Sequence, residues 1–243
     1  MAERRFVVEG PQAVREALDS LLELYALDLT DPLAQLAAAR GVEVVQVDAK
    51  VLEALAETVT PQGLVGVAPL LSAVLPDRPQ LVAVLHEVND PGNAGTVIRT
   101  ADAAGADGVV LTAGSVDPHN GKCVRASAGS LWHLPVVTDA DALDTIAALQ
   151  AQGVRVLAAT GAGEADLDEL DGLDGLAAPT AWVLGTEAHG LPAEVLAVAD
   201  VRVRIPIHGR AESLNLATAA AVCLYSSARA QRRASSRESA AES

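Results

Sequence analysis

IPIHGRAESLNL, residues 205–216, connects a predicted strand to a predicted helix. Alternating polar and apolar residues lead into it, and an alanine-rich run with helical spacing follows it. Pro206 ends the strand because proline cannot donate to a sheet, and Ser213 stands at the expected N-cap of the helix. The segment presents Glu212, Ser213 and Asn215 where open α/β sheets bind ligands. Taken alone, it favours an ordinary connection whose polar residues only cap the helix.

Two earlier segments also pass from an apolar strand pattern to a helical pattern, and they change this interpretation. They are HEVNDPGNAGTVIRTAD at residues 86–102 and VLGTEAHGLP at residues 183–192. In this order, the three segments resemble the three motifs of the SpoU family of RNA ribose 2′-O-methyltransferases, within the SPOUT superfamily. Many members have Asn-Glu in the second motif, where this chain has Thr186-Glu187 and keeps the acidic residue.

The composition indicates a globular chain with ample apolar material. Half of the 243 residues are hydrophobic, which allows one large domain or two modest ones. Cys123 and Cys223 are far apart, and the five histidines lack metal-ligand spacing, so neither a disulfide framework nor a metal site is predicted. We see no signal peptide and no stretch that could span a bilayer, and we expect a cytoplasmic protein.

Residues 1–70 predict a small α/β domain. Strands are expected at 6–10, 42–47 and 63–68, and helices at 11–24, 32–40 and 48–57. FVVEG at 6–10 and TPQG at 60–63 resemble the substrate-binding domain that precedes the catalytic domain in many SpoU enzymes. A generic α/β domain without a role in RNA binding is the alternative. The proline-rich residues 71–79 are predicted to be a linker.

Residues 80–230 predict a catalytic domain with a parallel sheet covered on both faces. Strands alternate with helices, among them a helix that Asn93 can cap and Gly105 closes. A nucleotide dehydrogenase fits poorly, because the glycine-rich turn at 90–95 is not G-x-G-x-x-G. The resemblance implies instead a deep trefoil knot in the C-terminal part of this domain. Residues 161–175 are expected to form a loop, and residues 231–243 a disordered tail.

The resemblance also implies a cofactor, S-adenosylmethionine, bound in the knot through the second and third motifs. The matching positions are Leu184, Gly185, Ile205, Ile207 and Leu214. Gly185 lacks a Cβ, so a ligand can lie against its backbone. Ordinary core packing would also explain the apolar residues among them.

Arg99 is the principal catalytic candidate that the resemblance implies. A free guanidinium is not a base at neutral pH. Arg99 is therefore either strongly perturbed by its site or orients the 2′-hydroxyl while it binds phosphate, and we favour orientation. Asn93 would hold Arg99 or its loop, Glu187 would pair with a basic group, and Ser213 and Asn215 would bind RNA phosphate and the catalytic groups. Singly, each has an ordinary role as a cap or a surface ion pair.

RNA is the implied substrate, although the net charge of −15 argues against binding through bulk charge. A local patch would have to supply the contacts, and the candidates are Arg4, Arg5, Lys122, Arg125, Ser127 and Arg210. Ribosomal RNA is favoured over transfer RNA, because a substrate-binding domain typically accompanies the ribosomal enzymes. A homodimer is expected through the last helix, on a face formed by Leu216, Ala220, Leu224 and Tyr225.

Other functions remain open from the sequence. A non-catalytic RNA-binding or ribosome-assembly factor could retain the fold, a transfer-RNA 2′-O-methyltransferase would share the motifs, and an α/β enzyme acting on a small molecule would suit the acidic charge. Binding of S-adenosylmethionine and methyl transfer to RNA separate these hypotheses.

Overall fold

The structure is a computed structural model that describes residues 4–172, 175–186 and 189–241. Its N-terminal part is a small mixed sheet in the order β1-β4-β2-β3, in which β2 and β3 are parallel and the other neighbours antiparallel. The elements are β1 (Arg5–Glu9), α1 (Pro11–Ala17), β2 (Glu23–Ala26), α2 (Pro32–Ala39), β3 (Glu43–Gln46), α3 (Ala49–Leu55) and β4 (Leu64–Pro69).

The prediction of one long helix over residues 11–24 is wrong. The helix α1 ends at Ala17, and the chain enters β2 six residues later, between β4 and β3. Leu24 and Ala26 are buried on one face of β2 while Tyr25 points the other way, which is the alternation of a strand. Burial in the centre of the sheet outweighs the apolar spacing that suggested a helix.

The larger sheet, as far as the chain is described, has the strand order β7-β6-β5-β10-β8-β11-β9, and each neighbouring pair is parallel. Its strands are β5 (Leu81–Leu85), β6 (Gly108–Thr112), β7 (Val136–Ala140), β8 (Arg155–Ala159), β9 (Ala165–Asp166), β10 (Thr180–Leu184) and β11 (Val201–Arg204). The helices are α4 (Pro91–Ala104), α5 (Gly121–Ser127), α6 (Ala142–Ala151), α7 (Leu167–Gly172), α8 (Ala193–Val198) and α9 (Leu216–Ala241), with a short 3-10 turn at Ser130–Trp132.

Both faces of this sheet are covered, as the sequence predicts. Every residue of β5, β6 and β10 is buried. Successive residues of β5 belong to different core clusters, with Leu81 on one face and Val82 on the other. Continuous apolar strands of this kind are typical of parallel sheets between two layers of helices. The predicted parallel α/β class is confirmed. The trefoil knot that the resemblance implies stays a prediction.

Three parts of this domain differ from the predictions. Residues 161–175 were expected to be a loop, but they contain β9 and α7. Asp90, rather than Asn93, caps α4, because its carboxylate accepts from the Asn93 N–H at 2.8 Å. Asn215, rather than Ser213, caps α9, since its Oδ1 accepts from the N–H groups of Ala217 and Thr218.

The expectation of a disordered tail from residue 231 is wrong, because α9 continues to Ala241. Gln231 Nε2 donates to the carbonyls of Gln80 and Ala178, and Arg232 Nη2 donates to the Ala104 carbonyl at 2.9 Å. A cation at the C-terminal end of α4 complements the helix dipole. These tertiary contacts stabilise a segment whose polar composition carries no periodic signal.

The two sheets are joined through buried and polar contacts. One continuous core cluster includes residues of both parts, and the rings of Phe6 and Trp132 stack at 6.0 Å. Trp132 Nε1 donates to Ser20 Oγ at 2.9 Å. His133 lies between Asp102 and Glu16, with its ring nitrogens 2.7 and 3.1 Å from their carboxylates. The hydrogen bonds that the ring makes to these carboxylates, above all the one to Asp102, raise the pKa of His133.

The segment between the sheets, residues 71–79, forms neither helix nor strand. It is nevertheless held at its start, where the Leu71 N–H donates to His119 Nε2 at 3.0 Å. None of the helices in the described ranges has the length and apolar character needed to cross a bilayer.

Candidate active site

A cleft of about 220 Å³ opens at the carboxyl ends of β8, β10 and β11. These three strands are neighbours in the sheet, and ligands of open α/β sheets bind at such edges. All five residues predicted to bind the cofactor line the cleft: Leu184, Gly185, Ile205, Ile207 and Leu214. Ile207 is 38% exposed at its edge, an apolar side chain that a ligand in the cleft would cover. The structure therefore brings the second and third motifs together around one cavity.

The wall of the cleft that contains Gly185 is a tight backbone turn. Thr186 and Gly190 form an antiparallel bridge, and the Gly190 N–H donates to the Thr186 carbonyl at 2.9 Å. A Cβ on Gly185 would lie 2.2 Å from the Gly190 carbonyl oxygen. Gly185 is therefore required by the return of its own loop. The close approach of a ligand to Gly185, which the sequence suggests, stays a prediction, and Gly185 lines the cleft where that ligand would lie.

The first and third motifs meet at the start of α9. Asn215 Nδ2 donates to Asn93 Oδ1 at 3.0 Å, and the same Asn215 caps α9 through its other amide atom. Asp90 anchors the start of α4, where hydrogen bonds from Lys122 and from the Asn93 backbone hold the pKa of Asp90 below its usual range. The two asparagines predicted to be catalytic are thus in contact, on helix starts with defined positions.

Arg99 does not join this contact within the protomer. It is exposed on α4, and among the described residues it forms no hydrogen bond or ion pair. It lies six residues beyond Asn93, which places it about 120° around the helix from the asparagine pair. Its guanidinium is available to a ligand from outside the protomer, such as a phosphate.

Two other predicted catalytic residues have different positions. Ser213 lines the cleft beside Leu214 and Glu212, so it borders the cofactor cavity. Glu187 lies outside the described residues. Burial raises the pKa of the Cys123 and Cys223 thiols to about 12, so neither cysteine is a nucleophile at neutral pH.

Three of the six predicted RNA-binding residues are engaged with carboxylates. Arg5 pairs with Glu23 at 3.0 Å and Lys122 with Asp90 at 2.9 Å. Arg125 lies 3.4 Å from Glu9 Oε2 and 3.8 Å from Glu57 Oε2, at the junction of the two sheets. These three cations therefore form ion pairs within the protein, which would have to open or be shared before the cations contact RNA phosphate.

Ser127 must be removed from the RNA-binding set. Its side chain is fully buried, and its hydroxyl donates to the Val124 carbonyl at 2.8 Å. It lies where α5 packs against α4, and a Cβ on Gly95 would come within 3.0 Å of the Ser127 backbone nitrogen. Arg4 and Arg210 are exposed.

The sequence interpretation missed one wall of the cleft, the end of β8 with Ala159, Thr160 and Gly161. Strand β8 lies next to β10 although two other elements separate them along the chain, and periodicity carries no information on strand order. Thr186 and Gly190 were quoted within the second motif without a role, and they line the cleft as well.

Within residues 4–172, 175–186 and 189–241, no three His, Cys, Asp or Glu side chains are grouped closely enough to hold a metal ion. The candidate site consists of the cleft, which includes the carboxylate of Glu212, together with the asparagine contact and Arg99.

The fold is thus a parallel α/β domain with a cleft at the ends of its central strands, attached to a smaller mixed sheet. Residues 80–225 match the SpoU rRNA Methylase family, and residues 7–73 match the RNA 2′-O ribose methyltransferase substrate binding family. The chain belongs to the SpoU rRNA methylase family.

Individual relatives agree with this assignment over nearly the whole chain. The 23S rRNA (guanosine(2553)-2′-O)-methyltransferase RlmP of Bacillus subtilis (strain 168) is 35% identical over 223 residues, which cover 90% of this chain and 87% of that protein. The AdoMet-bound rRNA methyltransferase from Sinorhizobium meliloti superposes with a TM-score of 0.81 at 35% identity, covering 93% of this chain and 87% of that one. AviRb from Streptomyces viridochromogenes, in complex with AdoMet, gives 0.82 at 27% identity, with 95% and 92% coverage.

Proposed function

We propose that this protein transfers a methyl group from S-adenosylmethionine to a ribose 2′-hydroxyl of ribosomal RNA. The observation that carries the proposal is the cleft at the ends of β8, β10 and β11, lined by all five residues predicted to bind the cofactor. Two kinds of relatives support the proposal. RlmP of Bacillus subtilis is named as a 23S rRNA 2′-O-methyltransferase, and two similar structures contain AdoMet.

The residues of the cleft suit this cofactor chemically. Ile205, Leu214 and Leu184 supply apolar walls for an adenine ring, and the hydroxyl of Ser213 and the carboxylate of Glu212 supply polar partners. When bound, S-adenosylmethionine contributes a methyl group on a positively charged sulfur. The carboxylate of Glu212 is compatible with that charge.

Arg99 and the asparagine pair are proposed to handle the RNA. The planar guanidinium of Arg99 can contact a phosphate and the ribose oxygen together, which orients the hydroxyl and stabilises the charge that develops as its proton leaves. The hydrogen bond between Asn215 and Asn93 fixes the start of α4 relative to the cleft. Ser213 is proposed to contact RNA phosphate at the cleft edge, and Glu187 to pair with a basic group.

A homodimer through the larger domain is part of the proposal, but the sequence-based reason for it changes. Leu216, Ala220 and Leu224 are buried inside the protomer, so they cannot form the contact between copies, whereas Tyr225, the fourth residue of that predicted face, is 47% exposed and stays a candidate. The exposed position of Arg99, away from the asparagine pair, supports a site that is completed by RNA or by a second copy. Light scattering across a dilution series, with activity measured in parallel, tests this part. A dilute monomer with full activity would refute the dimer.

The test of the function combines calorimetry and methyl transfer. We expect saturable binding of S-adenosylmethionine to the isolated protein and incorporation of its labelled methyl group into unmodified ribosomal RNA. Cofactor binding without transfer to any RNA would indicate a non-catalytic factor, and transfer to transfer RNA alone would replace the substrate. Absence of cofactor binding by the folded protein would refute the proposal.

A further inference from the structure

Another cavity, of about 290 Å³, lies where the small mixed sheet meets the larger domain, and we call it the junction cavity. The small domain lines it with the end of β1, with α1 and with the loop before β4. The larger domain lines it with Arg125 on α5 and with Ala128. None of its described lining residues belongs to the cofactor cleft, so the junction cavity is a separate place for a ligand.

Arg125 is held in this cavity by two carboxylates of the small domain, but its hydrogen bonds are incomplete. Its Nη1 is buried 3.4 Å from Glu9 Oε2 and 3.8 Å from Glu57 Oε2 and forms no hydrogen bond with the described residues. Glu9 instead accepts from the backbone N–H groups of Glu57 and Thr58 and from the Thr58 hydroxyl. Buried polar groups in native proteins are nearly always hydrogen-bonded, so the guanidinium of Arg125 points to an acceptor on a ligand.

The neutral polar side chains of the junction cavity are also open to a ligand. Thr60 and Gln62 are exposed in the loop before β4, and neither side chain forms a hydrogen bond with the described part of the chain. Gln12 donates from its amide nitrogen to Glu16 at 3.1 Å, which leaves its amide oxygen as an acceptor. The buried Leu64 adds an apolar wall. The cavity therefore offers donors, acceptors and apolar surface side by side.

The charge around the cavity favours a neutral ligand over a phosphate. Glu9 lines the cavity and Glu57 lies beside Arg125, so two carboxylates accompany one cation. These carboxylates repel an anion, whereas a nucleobase is neutral, planar and carries donors and acceptors along its edges. The volume is near the lower end of ligand pockets, roughly 300–1,000 Å³, which suits one base and excludes a duplex.

The helix α5 connects the junction cavity to the first motif. Lys122, about one turn before Arg125, donates to Asp90 at the start of α4 at 2.9 Å. A Cβ on Gly95 would lie 2.5 Å from a backbone carbonyl oxygen of α5, so the two helices pack backbone to backbone. A ligand that Arg125 binds is thus held at a defined position relative to the helix of the first motif.

We propose that the junction cavity binds one unpaired nucleobase of the RNA substrate. Arg125 donates to a carbonyl oxygen or ring nitrogen of the base, Gln62 pairs with its polar edge, and Leu64 contributes apolar contact. The bound base fixes the RNA relative to the first motif and supplies a sequence preference, which phosphate contacts do not provide. This inference rests on the proposed function for the identity of the ligand as RNA.

The test uses two single variants of the full chain, each with a matched control in the same domain. Gln62→Leu deletes the amide at nearly constant size, and its control is Gln35→Leu on the exposed side of α2. Arg125→Gln removes an ion-paired cation, and its control is Arg40→Gln, which removes the partner of Asp19. Binding of fluorescein-labelled fragments of ribosomal RNA is measured over a range of salt concentrations, and thermal unfolding shows that each variant is folded.

We expect Gln62→Leu to lower RNA affinity about three- to tenfold and Arg125→Gln about fivefold or more, as the loss of a neutral and of a charged hydrogen bond requires. The slope of log K against log salt should stay at the wild-type value in Arg125→Gln, because a base contact releases no counterion. A phosphate contact would lower that slope by about 0.9. Both controls should match the wild type.

Abasic nucleotides then identify the base itself. In the fragment that the wild type binds most tightly, each unpaired nucleotide is replaced in turn by an abasic one. One replacement should lower wild-type affinity about tenfold. The same replacement should cost Gln62→Leu about threefold less, because the variant has already lost part of that contact.

Wild-type RNA affinity in both folded variants would overturn the inference. A lowered salt slope in Arg125→Gln would overturn it as well, because the ligand would then be a phosphate. So would an abasic scan in which every replacement costs the wild type and Gln62→Leu the same. Failure of the proposed function has a different signature, which is the absence of cofactor binding or methyl transfer in the wild-type protein itself.

Discussion

Substitution of Gly185 by alanine is the sharpest perturbation of the cleft that leaves its chemistry unchanged. The added methyl group would lie 2.2 Å from the Gly190 carbonyl oxygen and 2.5 Å from its carbonyl carbon. Ordinary contact begins near 3.4 Å, so the backbone at Gly190 must move by roughly 1 Å to make room. Both residues line the cleft, and this movement therefore changes its wall directly.

The expected magnitude follows from the cost of overpacking. Inserting a methyl group into a well-packed site that cannot relax freely costs about 1–3 kcal/mol. If the backbone at Gly190 moves and must move back for the cofactor to bind, this cost is subtracted from the binding free energy. The affinity for S-adenosylmethionine then falls by about 5- to 150-fold, since 1.4 kcal/mol is tenfold. If the backbone at Gly190 does not move, the same cost lowers the free energy of unfolding of the protein instead.

Calorimetry and thermal unfolding together distinguish these outcomes. Gly209→Ala is the matched control, because a Cβ at Gly209 meets nothing within 4 Å and this residue is not among those lining the cleft. We expect Gly209→Ala to behave like the wild type in both assays. Wild-type cofactor affinity together with unchanged stability in Gly185→Ala would refute the reasoning, because the loop would then accommodate the methyl group without cost.

Three further predictions concern other parts of the molecule. Arg99→Ala should reduce single-turnover methyl transfer about a hundredfold or more while cofactor affinity stays nearly normal. Arg99→Lys should be similarly impaired, because lysine lacks the planar guanidinium. Near-normal turnover of Arg99→Ala would exclude Arg99 as the catalytic residue. Asn215→Asp keeps an oxygen to cap α9 but loses the donor to Asn93, so its stability should be preserved while methyl transfer falls. Asn215→Ala should in addition lose about 1 kcal/mol of stability, because the cap is lost. Equal activity of Asn215→Asp and wild type would show that the contact is purely structural. The raised pKa of His133 predicts a stabilising contribution that is complete below the ordinary histidine pKa and is lost as the pH rises through the raised value. The difference in melting temperature between wild type and His133→Gln should therefore shrink from acidic to alkaline pH. A constant difference would contradict this linkage.

The sequence predicts the larger domain well because its signals are local and mutually consistent. The apolar runs at residues 81–85 in β5 and 181–184 in β10 are strong evidence for buried parallel strands. The cofactor residues were predicted from the resemblance to the SpoU motifs. In the structure Leu184 ends β10 and Ile205 follows β11, so their positions agree with binding at the carboxyl ends of the strands.

The remaining differences arise from tertiary contacts that no local pattern encodes. Leu24 has the apolar spacing of a helix but lies in the centre of a sheet, and α9 extends beyond residue 230 because Arg232 and Gln231 find partners on distant elements. The caps were misplaced by two or three residues, since Asp90 and Asn215 compete with Asn93 and Ser213 for the same role. Strand order, which places Thr160 in the cleft, is a property of the whole sheet.

Ion pairs within the protein occupy some of the candidate RNA-binding cations, and local sequence patterns do not predict these pairs. Lys122 and Arg125 were candidates for a local basic patch, but each lies against a carboxylate from another part of the chain.

The central claim is that this protein places a methyl group on a ribose of ribosomal RNA, and mapping of ribose methylation in cells tests it most directly. Ribosomal RNA is compared between cells with the protein, cells without it, and cells without it that carry the Arg99→Ala chain. We predict that one or a few 2′-O-methylated positions disappear without the protein, return with the wild-type chain, and stay absent with Arg99→Ala. An unchanged ribosomal RNA map, or a change confined to transfer RNA or to base methylation, would contradict the account.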